Sequence, residues 1–266
     1  SPRGPALRHL RTASSCGDRP RVTAPCHGEV VTTSLPRPVL WRGDGTLQAG
    51  IAPPTRSPSL EGRHVRVRGL TAMGLAAVET LVRAGVAGLC LVDRSTGDDA
   101  WAADDAVAGV VPTRAQAAAH RVHAAAPVVR VMLDDSRAVD GEIVVAYGAP
   151  DPRVAHALAL GGPHVALLAD EAGATVLPVI PGVTACLRCH GLDRVGRDPS
   201  WPVLARQCEA IVPDVDPATA AVAGALAAAC LAHAIDGSGT GRWRVTAGLP
   251  ARDPLPADPS CGCGAA

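Results

Sequence analysis

The sequence predicts an α/β protein built on a doubly wound, Rossmann-like and mostly parallel sheet. From residue 63 onward, short apolar runs of strand length alternate with helical patterns, as in chains built from repeated βα units. Near its end the chain carries two close cysteine pairs, Cys186 with Cys189 and Cys261 with Cys263. Two such pairs suit one tetrahedral zinc ion. We therefore expect a C-terminal four-cysteine zinc staple that fastens the tail to the sheet domain.

The first half of this domain is predicted to alternate strands with two helices. Apolar runs rich in Val and Leu predict strands at residues 64–69, 88–93, 128–135 and 142–148. Helical spacing of apolar residues predicts helices over residues 73–85 and 112–126. Gly85 suits the end of the first helix, because glycine readily adopts the left-handed conformation that closes helices.

The second half continues the same alternation. A short helix is predicted over residues 151–162, with Pro152 in its first turn, and a long alanine-rich helix lies between Pro213 and Asp236. Asp216-Pro217 starts that helix and Gly237 ends it. Three more strands are predicted, at residues 164–169, 174–182 and 242–248.

The segments before the domain have a different character. Residues 1–36 are rich in Pro, Arg, Ser and Thr with little periodicity, which predicts a disordered tail. Residues 37–62 place alternating apolar residues around a Gly-Asp-Gly turn and then a Pro/Ser linker, which predicts a short β-hairpin over residues 37–53. The domain proper is expected over residues 63–266, including a zinc-binding tail over residues 251–266.

Composition excludes several functions. The 266 residues carry no net charge, which gives no electrostatic argument for binding nucleic acid or an anionic membrane. No apolar run is judged long enough to span a membrane, and the first residues lack the apolar segment of a secretory signal. We therefore expect a cytoplasmic protein with reduced thiols. The chain contains no Lys and no Asn, and all 25 residues counted as Lys or Arg are Arg. No mechanism here can therefore use a lysine amine or an asparagine amide.

The first βα turn is a partial nucleotide-binding motif. The fingerprint has three glycines, followed about twenty residues later by an acidic residue for a ribose hydroxyl. This chain has Gly69 and Gly74, but Thr71 stands at the second glycine, where a side chain obstructs the approach of phosphates. Asp93 ends the second strand in the ribose-binding position. The alternative is a tight strand-to-helix turn that binds no ligand.

The cysteine motif has alternatives as well. "CLRCH" matches the attachment motif of c-type haem, with His190 as the iron ligand, although that chemistry needs export from the cytoplasm. Disulfides are a second alternative, because the terminal Cys-x-Cys is tighter than the usual zinc knuckle. Cys208 and Cys230 lie in helical patterns, where a small apolar residue that packs is the simplest interpretation.

Together these features resemble the ThiF superfamily of ubiquitin-activating-type enzymes. The resemblance rests on the βα unit of residues 64–93, the late Cys-x-x-Cys, the alanine-rich helix and the terminal cysteine pair. A narrower similarity, in residues 38–53 and 181–207, is to divergent actinobacterial ThiF-like and cyclodehydratase-like proteins of peptide natural-product clusters. The resemblance implies ATP-dependent adenylation of the C-terminal carboxylate of a carrier protein or peptide.

The resemblance carries over only in part to individual residues. It implies that Asp151 is the best match to the family's metal-binding aspartate, and that Cys208 lies where some relatives have a catalytic cysteine. It also implies a second aspartate two residues after Asp93, where this chain has Ser95, and a lysine for phosphate, which the chain lacks. Arginines available to substitute are Arg94, Arg114 and Arg153.

Two functions follow from this partial match. The first is a catalytically silent ThiF-like scaffold that binds a precursor peptide, a carrier protein or a partner enzyme, through the hairpin of residues 37–53 or an exposed sheet edge. The second is an active ATP- and Mg²⁺-dependent adenylyltransferase. The superfamily's habit implies a homodimer. The defective phosphate turn and the missing lysine favour the scaffold.

Overall fold

The computed structural model describes residues 58–96, 111–209 and 211–265, so the predicted tail of residues 1–36 and the hairpin of residues 37–53 lie outside the described ranges. The strands are β1 His64–Arg68, β2 Gly88–Val92, β3 Arg130–Met132, β4 Gly141–Tyr147, β5 His164–Asp170, β6 Gly173–Val179, β7 Trp243–Thr246 and β8 Leu249–Arg252. The helices of these ranges are α1 Ala72–Arg83, α2 Arg114–Ala125, α3 Pro152–Leu160, α4 Leu187–Arg197, α5 Trp201–Cys208 and α6 Pro217–Ile235.

The eight strands of the described ranges form one sheet, in the order β3-β2-β1-β4-β5-β6-β7-β8. The first five strands in that order are parallel, and β6, β7 and β8 are antiparallel additions at one edge. The order reverses between β1 and β4, and ligands of doubly wound sheets bind at such a switch point, outside the carboxyl ends of the strands. The predicted Rossmann-like, mostly parallel sheet is confirmed.

The main core lies on the sheet face that carries α1, α2 and α6. Strand β1 shows how the sequence fixes this face, because Val65 and Val67 are fully buried in the core while Arg66 and Arg68 alternate onto the opposite face. A smaller apolar cluster covers the opposite face beside α3, where Leu158 packs among Val144, Ala166, Leu168, Leu177 and Val179.

Helix α6 is the central helix of this core. Ten of its residues are buried, and it packs against α1 and against strands β4, β5 and β6. Its length and its mean hydropathy of 1.8 meet the criterion for a membrane span, so the expectation that no segment reaches that length was wrong. Its burial within the fold accounts for the apolar composition.

Helix α4 and strand β8 were not predicted, and α5 was indicated only by the helical pattern around Cys208. Helix α4 has a polar average composition, two glycines and only two buried residues, Cys189 and His190, and α5 is only eight residues long, which makes both hard to predict from sequence. Strand β8 follows a two-residue turn in which Ala247 and Gly248 both have positive φ, of 48° and 75°. Hairpin turns of this type usually carry Asn-Gly or Asp-Gly, and alanine hides the turn from sequence-based prediction.

Gly224 marks the point where α6 approaches α1 most tightly. A Cβ atom there would lie 2.5 Å from the carbonyl oxygen of Met73 and 2.6 Å from the Cβ of Ala76. Such separations are shorter than real contacts, so only glycine lets the two helix backbones come this close.

We predict that Gly224→Ala destabilises the fold by about 1–3 kcal/mol, because the added methyl group forces the helices apart. Gly191→Ala is the matched control, since Gly191 also lies in a helix but has no neighbour within 4 Å of the new Cβ. That variant should be neutral or more stable by up to about 1 kcal/mol, from helix propensity alone. Urea unfolding measures both, and equal free energies of unfolding would contradict the close approach.

Asp170 ties the antiparallel edge to the parallel part of the sheet. Both of its carboxylate oxygens accept hydrogen bonds from Arg244 of β7, at 2.5 and 2.7 Å, and Arg194 lies 3.6 Å away. Burial of this carboxyl opposes its ionisation, but the bonds from Arg244 and the Ala172 N–H, with the nearby guanidinium charges, outweigh burial. The pKa of Asp170 is therefore below its usual value.

We predict that Asp170→Asn lowers the free energy of unfolding near neutral pH by about 2 kcal/mol, the scale of a charged hydrogen-bonded pair. Because the folded-state pKa lies below the unfolded value of about 3.9, this contribution is present above that value and is lost as the pH falls through the folded pKa. The gap between wild type and variant in urea unfolding should therefore close in acid. Asp236→Asn, at an exposed position, is the control, and a gap independent of pH would contradict the assignment.

Candidate functional site

The two cysteine pairs meet in one cluster. The Sγ of Cys186 lies 3.9 Å from that of Cys189 and 3.4 Å from that of Cys261, and the Sγ atoms of Cys189 and Cys263 are 3.7 Å apart. All four sulfur atoms lie within 4.8 Å of one another. A zinc ion with four sulfur ligands at about 2.3 Å spans a tetrahedron with edges of about 3.8 Å. The four sulfur atoms can therefore hold one metal ion.

Local backbone geometry brings these sulfur atoms together. Cys186 is the N-cap of α4 and Cys189 lies in its first turn, so both side chains are at the same end of the helix. In the tail, Gly262 and Gly264 have φ of 72° and 75°, a left-handed conformation that lets the Cys-Gly-Cys-Gly segment curl around the cluster. Sequence spacing alone singled out the four cysteines that meet in this cluster.

The cluster is largely buried and its sulfur atoms accept backbone hydrogen bonds. The Asp258 N–H donates to the Sγ of Cys189 at 3.4 Å. Burial raises the pKa of the Cys261 thiol, whereas the Ala265 N–H lowers the pKa of Cys263 to about 7. A cation at the centre of the cluster would deprotonate such thiols and offset the repulsion among them.

The geometry bears on the two alternatives for these cysteines. In the described ranges every cysteine is a free thiol, and the separations within the cluster are well beyond the 2.05 Å of a disulfide bond. Haem attachment would use the first pair alone, whereas here both pairs face each other. His190 accepts a hydrogen bond on Nδ1 from Arg242. The arrangement favours a metal ion over both alternatives.

A buried guanidinium provides a second link between the tail and the body. Arg242, whose side chain is 2% exposed, donates to Asp193 and His190 of α4 and to Asp253, just after β8. Burial, followed by the charges of Arg242 and Arg194, lowers the pKa of His190 to about 4, so the ring is neutral and accepts the hydrogen bond. The sequence carried no signal for this network, because its members are spread over about sixty residues.

The glycine turn after β1 has the conformation that the fingerprint requires. Gly69 has a φ of 82°, and a Cβ at Gly74 would lie only 2.0 Å from the Gly69 carbonyl oxygen, so α1 packs closely onto the turn. The Leu70 N–H donates to the Oδ2 of Asp93 at 2.7 Å, which joins the turn to the end of β2. The absence of a side chain at Gly74 therefore lets the first turn of α1 pack directly against Gly69.

A cleft of about 320 Å³ opens at the switch point of the sheet. Its wall includes four of the five residues predicted for nucleotide binding, together with the last residues of β4 and α5: Gly69, Thr71, Asp93, Asp151, Tyr147 and Cys208. Gly74 does not line it. The predicted residues thus come together at the place where doubly wound folds bind ligands.

Several of these residues also have a structural role. Asp93 accepts from the N–H and the hydroxyl of Ser95 through its second oxygen. Asp151 is the N-cap of α3 and accepts from the Arg153 N–H at 2.7 Å. Thr71 is the N-cap of α1, but its buried hydroxyl makes no hydrogen bond in the described part of the chain. The carboxylates are therefore partly engaged by the protein itself.

The charges around the cleft suit phosphate poorly. Among its described lining residues are two arginines, Arg68 and Arg114, against three carboxylates, those of Asp93, Asp151 and Glu209. Arg68 is bound to Glu142 and to Asp135, at 2.5 and 2.8 Å. Transfer of a phosphoryl or adenylyl group needs cations held against the phosphates. The described residues of the cleft offer few such cations.

The three arginines named as substitutes for the missing lysine do not converge. Arg114 lines the cleft, whereas Arg94 lines a neighbouring cavity beside β2 and β3, and Arg153 lines an adjoining groove that shares Arg68 and Val154 with the cleft. Sequence reasoning missed Tyr147, the single tyrosine of the chain, which ends β4 in the cleft. Its position at the carboxyl end of a central parallel strand was the available signal.

Cys208 is half-buried on α5 and lines the cleft. Burial and the nearby Glu171 raise the pKa of its thiol, which leaves it protonated and a poor nucleophile near neutral pH. At the other end of α5, Trp201 stacks under the guanidinium of Arg194 at 4.1 Å. Gly148, with a φ of 67°, makes room for both Trp201 and Cys208.

Comparison with known proteins gives a similarity of fold. No protein-family model matches the chain, and no curated protein matches it. Among solved structures, the chain is similar to Escherichia coli MccB with ATP (TM-score 0.56, 15% identity, covering 77% of this chain and 67% of that chain). The microcin C7 biosynthetic enzyme MccB in complex with N-formylated MccA gives a TM-score of 0.57, at 15% identity over 77% of this chain and 68% of that chain.

PaaA is a further similar structure, with a TM-score of 0.51 and 14% identity over 74% of each chain. The chain spans about two thirds of the length of the MccB chains it matches. At these identities the likeness is one of fold.

We predict that the purified protein contains about one zinc ion per chain. Cys261→Ser should lose the metal and lower the free energy of unfolding by several kcal/mol, because metal binding is coupled to the docking of the tail. Cys208→Ser is the control, since Cys208 lies outside the cluster and should keep both metal and stability. Elemental analysis and urea unfolding measure the two effects; a metal-free wild type of equal stability would refute the site.

Proposed function

We propose that this chain is a ThiF-superfamily homologue that binds a peptide or carrier-protein client without adenylating it. In this proposal it serves as a scaffold in the biosynthesis of a peptide natural product or a cofactor. The similar solved structures support a peptide client, because MccB is a biosynthetic enzyme captured both with ATP and with MccA. We therefore propose peptide binding for this chain, but not the use of ATP.

The observation that carries the proposal is the composition of the cleft. The turn at the start of α1 keeps its fold through Gly69 and Gly74, but Thr71 stands where a glycine would open the way to phosphates. Of the two described arginines that line the cleft, Arg68 is already paired with carboxylates. A nucleoside triphosphate carries about four negative charges, and the wall of the cleft already contains three carboxylates. A cleft that is folded but has few cations supports binding of a client without its adenylation.

The second candidate function is an active ATP-dependent adenylyltransferase. The observation that favours it is the convergence of Asp93 and Asp151 with the glycine turn in one cleft. Asp93 would bind the ribose and Asp151 would hold Mg²⁺ at the phosphates. Arg114, or a residue supplied by a partner enzyme or a second copy in a homodimer, would then provide the missing cation.

The metal and the cellular location belong to the same proposal. We assign the four-cysteine cluster to zinc with a structural role, because all four coordination positions are taken by sulfur and none is left for a substrate. Free thiols in every described cysteine are consistent with a reducing compartment, and the cytoplasm is the proposed location.

We predict that the protein catalyses no ATP–pyrophosphate exchange above background, with or without peptides encoded by neighbouring genes. Calorimetry with Mg-ATP should likewise give no binding heat, whereas a client peptide should bind in fluorescence anisotropy. The physical reason is the shortage of cations for the phosphates in the cleft.

Matched variants make this test decisive. If exchange is present and Asp151→Asn abolishes it while the remote Asp236→Asn does not, the scaffold is wrong and the enzyme is right. If exchange is absent, Thr71→Gly tests the turn, and we expect this one change not to restore activity, because the cations are still missing. A protein that binds neither Mg-ATP nor peptide would contradict both functions.

A further inference from the structure

One face of strand β1 carries charge in the middle of the sheet. Central strands of parallel sheets are normally apolar on both faces, because helices cover both. Here Val65 and Val67 face the core, whereas Arg66 and Arg68 lie on the opposite face, with side chains only 11% and 20% exposed. The described chain above them is the short connection between β3 and β4, over residues 133–140, which contains no helix.

The two arginines of β1 are held by carboxylates on neighbouring segments. Glu142 of β4 pairs with both of them, at 2.8 Å to Arg66 and 2.5 Å to Arg68. Asp135 of the connection binds Arg68 at 2.8 Å, and Arg66 also donates to the carbonyl oxygens of Asp135 and Arg137. The positive charges of β1 are thus matched, and the connection is fixed over the strand.

A groove of about 450 Å³ lies between this connection and α3. Two further arginines line it, Arg137 from the connection and Arg153 from the first turn of α3, and both are exposed. Neither guanidinium forms an ion pair within 4 Å with a described carboxylate; Arg137 contacts the neutral sulfur of Met132 and feels the exposed Asp134 carboxylate only at longer range. The two carboxylates in the groove, Asp135 and Glu142, are already committed, so the groove keeps an excess of positive charge.

The groove also has an apolar part. Val139 of the connection and Val154, Ala157 and Leu158 of α3 line it beside the arginines. An inorganic anion would use only the charges, whereas a peptide segment with acidic and apolar residues would use both kinds of wall. The shape and chemistry therefore fit a peptide better than a free ion.

We propose that this arginine groove, formed by Arg66, Arg68, Arg137 and Arg153, binds an acidic segment of the client peptide. The inference rests on the proposed peptide-binding function and names the chemistry of the part recognised. Arg137 and Arg153 form ion pairs with client carboxylates, while Arg66 and Arg68 hold the floor of the groove in place. The groove lies on the opposite side of α3 from the largest described cavity, of about 630 Å³, which is lined by residues of α3, α4 and the cysteine cluster.

The test uses two fluorescein-labelled octapeptides, one alternating Glu and Leu and the other alternating Gln and Leu. In fluorescence anisotropy at low salt, the Glu peptide should bind at least roughly tenfold more tightly than the Gln peptide. Arg153→Glu and Arg137→Glu should each weaken binding of the Glu peptide by roughly tenfold, and raised salt should weaken it in wild type, because the pairs lie near solvent. Both positions are exposed, so thermal melts should show intact folds.

Arg83→Glu is the matched control, because it makes the same charge change at an exposed position on α1, on the core side of the sheet. Equal affinity for the two peptides, or an Arg153→Glu effect no larger than that of Arg83→Glu, would overturn the groove. Displacement of the Glu peptide by millimolar inorganic phosphate, with the same dependence on Arg153, would reassign it to a small anion and also overturn the proposal.

The client peptide separates this inference from the proposed function. If the client binds wild type and Arg153→Glu equally well, the groove is wrong and the scaffold function stands. If the Glu peptide binds in an Arg153-dependent way but no client binds wild type, the groove stands as an acidic-peptide site and the proposed function fails.

Discussion

The C-terminal quarter of the fold depends on a buried guanidinium. Arg242 is almost completely removed from water and is compensated by Asp193 of α4, by Asp253 after β8, and by the neutral ring of His190. Removing one partner from such a network leaves a charge unpaired in a low dielectric, which commonly costs about 3–5 kcal/mol. The network therefore fixes where the last strands end and where the tail begins its return to α4.

The cysteine cluster completes what Arg242 begins. Cys186 and Cys189 belong to the same helix that carries His190 and Asp193, so one face of α4 receives both links. The ionic link fixes the start of the tail and the sulfur cluster fixes its end. The N-terminal end of α4 in turn borders the largest described cavity, so the shape of that cavity depends on the docking of the tail.

Sequence reasoning recovered those parts of the fold that local patterns determine. Strands β1, β4 and β5 are long or apolar enough to be recognised, and Asp216-Pro217 and Gly237 bracket α6 as expected. Strand β8 escaped because its turn places Ala247 in the left-handed conformation, which alanine rarely adopts. Helix α4 escaped because its stability comes from the cluster and from Arg242 rather than from an apolar stripe.

For the site, the sequence indicates which residues are candidates, but not whether their charged side chains are free to bind a ligand. Spacing alone identified the four cysteines, and the fingerprint identified Gly69 and Asp93, because those motifs are local. Whether a charged side chain is available to a ligand depends on its partners across the sheet. Arg68 lines the cleft yet is bound to Glu142, a residue 74 positions away, and no pattern in the sequence reveals that pairing. The same long-range pairing leaves Arg137 and Arg153 as the two groove arginines without an ion pair to a described carboxylate.

The positions of two tryptophans have an optical consequence. Trp201 stacks under Arg194 and lines the cavity that Cys261 and Cys263 also border, and Trp243 of β7 stacks under Arg252 of β8 at 4.8 Å. The chain has no phenylalanine and a single tyrosine, which leaves tryptophan as the dominant chromophore. Trp41 and Trp101 lie outside the described ranges, so the change in ultraviolet emission when the tail is released, rather than the total emission, will report the surroundings of Trp201 and Trp243.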